Sequence, residues 1–106
     1  MATDREYFKA LSSSGDAIRI RFTTDRGQVI RYTAQYETLL DGVVRPVVRY
    51  DNAHGQAHND VLDGHGETVR KEWLTEMSGG EALTHAIMEI EAGWPEMRDA
   101  FLRRKS

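Results

Sequence analysis

Three of the four histidines in this 106-residue chain lie between residues 49 and 66. Arg49 and Asp51 come just before two of them, and glycines in the same segment let the backbone turn sharply. Imidazole groups titrate near neutrality, so they can accept or donate a proton, and a guanidinium group can hold a phosphate. The pattern predicts a ribonuclease-type site with His54 and His58 as acid and base. Asp51 would orient an imidazole there, and Arg49 would bind phosphate.

The same segment has two other interpretations. It contains six side chains of the types that bind metals, namely Asp51, His54, His58, Asp60, Asp63 and His65. A His-x-x-x-His pair indicates a metal site mainly on a helix, however, and Gly55 disfavours a helix at this point. No metal or other cofactor is therefore predicted. The remaining alternative is a polar loop without catalysis, in which the histidines pair with neighbouring aspartates.

The elements that must position these residues are predicted to be β-strands. Apolar and polar residues alternate within three runs between Ala17 and Asp51 and again from Thr68 to Trp73, which is typical of strands with one buried face, whereas the run from His58 to Leu62 is short and mixed. Glycine-containing turns at residues 25–27 and 41–42 separate the first three runs. Pro46 cannot donate to a ladder, so the third strand should be irregular there. We expect a five-stranded antiparallel meander, with Trp73 in the core.

One helix is predicted before the sheet in the sequence and another after it. Thr3 and Glu6 have the spacing of a capping box and predict a short helix over about residues 4–11. Ser78 and Glu81 have the same spacing and begin a long amphipathic stripe that contains Pro95. The apolar residues of the stripe are Leu83, Ile87, Ile90, Trp94, Met97 and Phe101.

Together these patterns predict a single α+β domain. A short N-terminal helix and a linker occupy residues 1–16, the sheet residues 17–74, and a long helix residues 78–104. Because proline removes a hydrogen bond from a helix and clashes with the preceding turn, this last helix should be kinked or divided into two nearly collinear helices at Pro95. The alternative is an antiparallel helical hairpin, for which the two residues Gly93 and Trp94 make a poor loop. The kinked or divided helix is expected to pack across the apolar face of the sheet.

Five arginines are predicted to share the polar face of the sheet, because side chains of one parity project to one side of a strand. They are Arg19, Arg21, Arg31, Arg45 and Arg49. An array of guanidinium groups can bind the phosphates of a nucleic acid. The alternative is that these arginines are ordinary solvent-exposed residues whose charge serves only solubility. Residues 17–50 hold six arginines against three acidic side chains, so a basic surface is expected there.

Several classes of protein are disfavoured by what the chain does not contain. It has no cysteine, so disulfides, thiolate metal sites and thiol nucleophiles are excluded. It has neither a phosphate-binding glycine loop nor a His-Glu-x-x-His motif. The N-terminus is charged and no apolar run reaches membrane-spanning length, so a soluble cytoplasmic protein is expected.

The segment Val47–His54, followed by His58, resembles the central motif of small bacterial proteins related to the TumE-type toxins of toxin–antitoxin modules. The similarity covers roughly residues 17–103. It implies a small α+β protein with toxin-like RNA-binding or ribonuclease activity. The partners it implies are RNA and a cognate antitoxin. Independently of the resemblance, the strand edge near Pro46 offers a place where a second copy of the chain, giving a homodimer, or a strand of the antitoxin could pair. The alternative is a non-catalytic protein-interaction domain with a structural histidine loop.

Overall fold

A computed structural model describes residues 1–74 and 77–104 of the chain, and it contains one antiparallel sheet and one long helix. The strands are β1 (Ala2–Ala10), β2 (Ala17–Asp25), β3 (Gln28–Leu40), β4 (Val43–Asp51), β5 (His58–Leu62) and β6 (Thr68–Trp73). A short 3-10 turn (Ala53–Gly55) joins β4 to β5, and helix α1 (Gly79–Arg104) follows the sheet. Each strand pairs with its neighbours in sequence, so the predicted α+β class with an antiparallel meander is confirmed.

The sheet has six strands rather than the predicted five, because residues 2–10 form a strand. The predicted N-terminal helix is therefore wrong, and Thr3 and Glu6 lie within β1 instead of capping a helix. β1 pairs with β2 along its whole length. A helix of about eight residues is marginal by itself in water, whereas a continuous ladder satisfies the backbone groups of the same residues. Pairing with β2 thus outweighs the local helical pattern.

The segment between β1 and β2 is a tight turn. The hydroxyl of Ser12 donates to Asp16 Oδ2 at 2.7 Å, and the backbone N–H of Leu11 donates to the carbonyl of Asp16 at 2.8 Å. Gly15 has a φ of 100°, and a Cβ at this residue would lie 2.5 Å from Cβ of Leu39. Only glycine fits here, because both the backbone angle and the close approach exclude a side chain.

The core lies between one face of the sheet and α1. The alternating residues Ile18, Ile20, Tyr32, Ala34, Tyr36, Val48 and Tyr50 are buried on that face. Helix α1 packs mainly on β3 and β4, and it buries Leu83, Ile90 and Phe101 against them. Ser78 and Glu81 form the predicted capping box at its start, with both contacts at 3.2 Å. The helix continues through Pro95 to Arg104.

Two local features of β3 and β4 follow the sequence pattern. Asp41 and Gly42 both have positive φ angles, of 52° and 78°, as a tight hairpin turn requires. The predicted irregularity at Pro46 is also present, since the register shifts where Pro46 lies opposite Glu37. The shift has a consequence for Arg45. It pairs with Thr38, whose hydroxyl is buried on the helix side, so Arg45 projects towards α1.

A buried carboxylate links the sheet to α1. Asp16 accepts hydrogen bonds from the hydroxyls of Tyr36 (2.6 Å) and Thr38 (2.8 Å), and Nε of Arg98 in α1 lies 3.6 Å away. Burial raises the pKa of Asp16, but the hydrogen bonds from Tyr36, Ser12 and Thr38 and the charge of Arg98 outweigh it. The net result is a pKa below the ordinary value of an aspartate. The ionised carboxylate therefore stabilises the folded state.

Replacing Asp16 with Asn should lower the free energy of unfolding by about 3 kcal/mol at pH 7, because the buried hydroxyl donors lose a charged acceptor. A depressed pKa contributes stability above the unfolded-state value and loses it as pH falls through the folded-state value. The difference between wild type and D16N should therefore shrink below about pH 4. Urea denaturation at several pH values measures this.

The exposed Asp41 provides a matched control for Asp16, because asparagine tolerates the positive φ angle of its turn. D41N should leave the free energy of unfolding within about 0.5 kcal/mol of wild type. Equal losses for D16N and D41N would contradict the role of the Asp16 network.

Candidate functional site

The face of the sheet opposite α1, here called the helix-free face, carries two rows of mostly polar side chains. Each row crosses all six strands, because directly paired residues project to the same side. The first, the Arg49 row, consists of Phe8, Arg19, Gln35, Arg49, Asp60 and Lys71. The second, the His58 row, consists of Glu6, Arg21, Thr33, Asp51, His58 and Trp73. The two rows bring together residues from both ends of the chain.

Four of the five arginines predicted to share a face do so. Arg19, Arg21 and Arg49 lie in the two rows, and Arg31 lies on the same side opposite Thr23. Arg45 is the exception, because the bulge at Pro46 turns it to the side of the sheet that α1 covers. Its guanidinium donates to the carbonyl of Gly64, in the turn before β6, at 3.0 Å. Whether these arginines bind phosphate stays a prediction.

A hollow of about 410 Å³ lies at the centre of the helix-free face. Its lining residues are Arg19, Arg21, Thr33, Gln35, Glu37 and Arg49. Nε of Arg19 donates to Glu37 (3.0 Å), and Nε of Arg21 donates to Glu6 (2.8 Å). Nε of Arg49 donates instead to the neutral amide of Gln35 at 2.8 Å. Three guanidinium groups against the carboxylates of Glu37 and Glu6 leave one excess positive charge at the hollow.

Next to this hollow, the imidazole of His58 lies between two carboxylates. Its Nε2 is 3.0 Å from Oδ1 of Asp51 and 3.4 Å from Oδ2 of Asp60. The strand register explains the cluster, since Asp51 pairs with His58 and Asp60 follows two residues later on the same side of β5. All three residues are at least nine-tenths buried, and His58 is only 3% exposed.

The other side of the His58 ring is fixed as well. Nδ1 lies 3.1 Å from the carbonyl oxygen of Gln56. Because a carbonyl only accepts, Nδ1 is the protonated nitrogen in this arrangement. The ring of Trp73 packs against the imidazole with centroids 5.2 Å apart, and Nζ of Lys71 lies 5.4 Å from the Trp73 ring. The imidazole is therefore held in one orientation with Nε2 directed at the carboxylates.

The predicted catalytic set is only partly described by the structure. Asp51 and His58 are in contact, as stated above, while the side chain of His54 lies outside the described part of the chain. Asp63 is separate from the cluster, because it accepts hydrogen bonds within the turn before β6. The acid and base roles of His54 and His58 stay predictions.

Sequence reasoning misplaced one residue of this face and assigned no role to another. Trp73 was expected in the core, but it is 57% exposed on the helix-free face. Lys71 was not singled out, although its Nζ lies 3.5 Å from Asp60. Period-two alternation places Lys71 and Trp73 on one side of β6, but it does not say which side faces α1.

These observations define a small α+β protein with a helix on one face of a six-stranded meander and an arginine-rich hollow on the other. The chain belongs to the family of the domain of unknown function DUF7718, whose family model matches residues 1–106. Comparisons with curated proteins and with solved structures found no significant match. Nothing in these comparisons links the chain to TumE-type toxins, so that resemblance stays a prediction. Among the described residues, no helix combines the length and hydropathy needed to cross a membrane.

Replacing His58 with Ala should lower the free energy of unfolding by about 3 kcal/mol, measured by urea denaturation with a chelator present. The variant removes the imidazole from two buried carboxylates, and a buried charge without its partner is strongly destabilising. His65 is the matched control, because it lies exposed in the turn before β6. H65A should stay within about 0.5 kcal/mol of wild type. A loss as small in H58A as in H65A would be incompatible with this account of the cluster.

Proposed function

We propose that the protein binds single-stranded RNA on the helix-free face of its sheet. The observation that carries this proposal is the hollow of about 410 Å³, which three arginines line at the centre of the face. Guanidinium groups bind phosphate oxygens in pairs and attract polyanions. An open antiparallel sheet is also a surface on which several RNA-binding modules accommodate unpaired strands.

Exposed aromatic rings at both margins of this face favour a single strand over a duplex. Phe8 in β1 is 56% exposed and Trp73 in β6 is 57% exposed. The five strand spacings between them, each about 4.8 Å, place these strands about 24 Å apart across the sheet. Unpaired bases stack on exposed aromatic rings, whereas the bases of a duplex are already stacked on one another. The arginines would hold the backbone between these two rings.

Arg49 is expected to contribute most to phosphate binding. Arg19 and Arg21 each donate to a carboxylate, and RNA must compete with those contacts. Arg49 donates to the amide of Gln35, so its charge is not neutralised by that partner. It also lies in the middle of its row, between the two aromatic margins.

Binding without cleavage is what the geometry of His58 favours. Its ring is 3% exposed, Nδ1 lies against the Gln56 carbonyl, and Nε2 lies 3.0 Å from Asp51. A general acid or base must come within hydrogen-bond reach of the proton that it transfers. Both nitrogens of His58 are already occupied by groups of the protein, so a ribose hydroxyl has no open route to them.

Replacing Arg49 with Gln should weaken binding of a fluorescein-labelled, ten-nucleotide single-stranded RNA about tenfold at 50 mM salt, because one phosphate contact is lost. The slope of log K against log salt should also fall by about 0.7, the value expected for one phosphate of a single strand. Fluorescence anisotropy over a salt series measures both quantities, and the RNA should remain intact on a denaturing gel.

Arg5 provides the matched control, since it pairs with Phe22 and so projects from β1 to the side opposite the two rows. R5Q should leave the affinity and the salt slope near those of wild type. The proposal fails if wild type does not bind at 50 mM salt, or if R5Q and R49Q weaken binding equally. A preference for duplex RNA would exclude the stacking role of Phe8 and Trp73.

A further inference from the structure

The cluster of Asp51, His58 and Asp60 is not used by RNA binding as described above. Each of the three residues offers one nitrogen or oxygen atom, and these three atoms all lie within 4.8 Å of one another. We propose that the cluster binds a divalent transition-metal ion of the zinc or manganese class.

Two of the three separations between the ligand atoms match those around a single ion. Bonds to zinc from histidine nitrogen and carboxylate oxygen are about 2.1 Å long, so two ligands at angles of 90–109° lie about 3.0–3.4 Å apart. Nε2 of His58 lies 3.0 Å from Oδ1 of Asp51 and 3.4 Å from Oδ2 of Asp60. Nε2 can therefore share an ion with either carboxylate, and the oxygens of Asp51 and Asp60, which lie within 4.8 Å of each other, would have to come within about 3.4 Å to complete the set.

The hydrogen bond at Nδ1 of His58 leaves Nε2 as the nitrogen available to bind a metal. Metal-binding histidines usually donate their other ring N–H to a carbonyl or a carboxylate, which fixes the tautomer and the direction of the ring. Here Nδ1 lies 3.1 Å from the carbonyl of Gln56, so in a neutral imidazole the lone pair is on Nε2. That lone pair is directed at two groups that, when ionised, can only accept.

Asp60 supplies the second observation that points to a cation. It is 6% exposed, and its buried Oδ1 has no hydrogen-bond partner within the residues that the structure describes. Nζ of Lys71 forms an ion pair with that atom at 3.5 Å, a distance longer than a normal hydrogen bond. A protonated imidazole has a single Nε2 proton, which would be shared between two carboxylates. A divalent ion would instead contact Nε2, Oδ1 of Asp51 and Oδ2 of Asp60 at the same time, and Oδ1 of Asp60 would stay beside Lys71.

The ligand types select among ions. One imidazole and two carboxylates suit zinc, manganese and related divalent ions, whereas calcium takes six to eight oxygen ligands. Three protein ligands leave at least one coordination position for water or a ligand. Asp60 pairs directly with Arg49, so the ion would lie beside the arginine-lined hollow.

The test uses the full chain after removal of metals with a chelator. Thermal unfolding is followed while Zn²⁺, Mn²⁺ or Ca²⁺ is added, and binding is measured directly by calorimetry. A ligand that binds only the folded state raises Tm with the logarithm of its concentration. Zn²⁺ or Mn²⁺ at a hundredfold excess over Kd should raise Tm by about 10 °C, and Ca²⁺ should raise it little.

Asp60→Asn keeps the shape of the side chain and should abolish the shift, as should His58→Gln. His65→Gln in the exposed turn should retain it in full. If either cluster variant is poorly folded, absorption of bound Co²⁺ in the visible range supplies a second readout in wild type and H65Q, with bands expected from a nitrogen- and oxygen-ligated ion.

Three results would each overturn the proposal. The first is the absence of a Zn²⁺- or Mn²⁺-dependent change in Tm and in calorimetry. The second is a shift of equal size in D60N and wild type. The third is a His58 ring that ¹⁵N NMR shows to be protonated on both nitrogens with saturating Zn²⁺ present, because an imidazolium cannot bind a metal.

Discussion

The hydrogen-bond register of the antiparallel ladder places every side chain of the candidate site. From β1 to β6, the residues of the Arg49 row and the His58 row pair directly, without a slip between them. A displacement by one residue in any strand would move that strand's contribution to the side of α1. The irregularities in the ladder all lie outside the two rows, near Thr24, Glu37 and Leu62. The middle of the sheet is therefore regular where the polar rows cross it.

α1 is the reason that this register is specified. It packs mainly on one face of β3 and β4, and the alternating tyrosines and aliphatic residues must lie beneath it. Tyr50 shows the coupling, since its ring is buried in the core while its hydroxyl donates to Glu89 of α1 at 2.8 Å. Its neighbours Arg49 and Asp51 are thereby directed to the opposite side. Burial on the helix side and the chemistry of the helix-free face are thus two results of one alternation.

Alternation and turn chemistry made much of the fold predictable from the sequence. The meander, the hairpin at Asp41–Gly42, the irregularity at Pro46 and the capping box at Ser78 all follow from local patterns. β1 was not predictable in this way, because its residues are exposed on both sides and carry no apolar alternation. Only pairing with β2 makes it a strand, and pairing is a long-range property.

The site was predictable only to the extent that alternation continued undisturbed. Four arginines share a face as expected, namely Arg19, Arg21, Arg31 and Arg49. The bulge at Pro46 breaks the alternation in β4, and Arg45 therefore projects to the other side. Parity alone could identify His58 and Asp60 as neighbours on a strand. Their contact with Asp51 depends on how β4 and β5 are aligned across the loop between them. The sequence contains no turn of fixed length there from which that alignment could be derived.

Asp16 and Asp60 are both buried, but their hydrogen-bond environments differ. Asp16 accepts hydrogen bonds from three hydroxyls, those of Ser12, Tyr36 and Thr38, as expected of a carboxylate that serves stability. Asp60 is buried to a similar extent, yet its Oδ1 has no hydrogen-bond partner in the described part of the chain. The groups nearest to its oxygens are Nε2 of His58 at 3.4 Å and Nζ of Lys71 at 3.5 Å, both farther away than a normal hydrogen bond, so Asp60 is less well satisfied than Asp16. The contrast within one protein indicates that the Asp51–His58–Asp60 cluster is arranged to hold a cation.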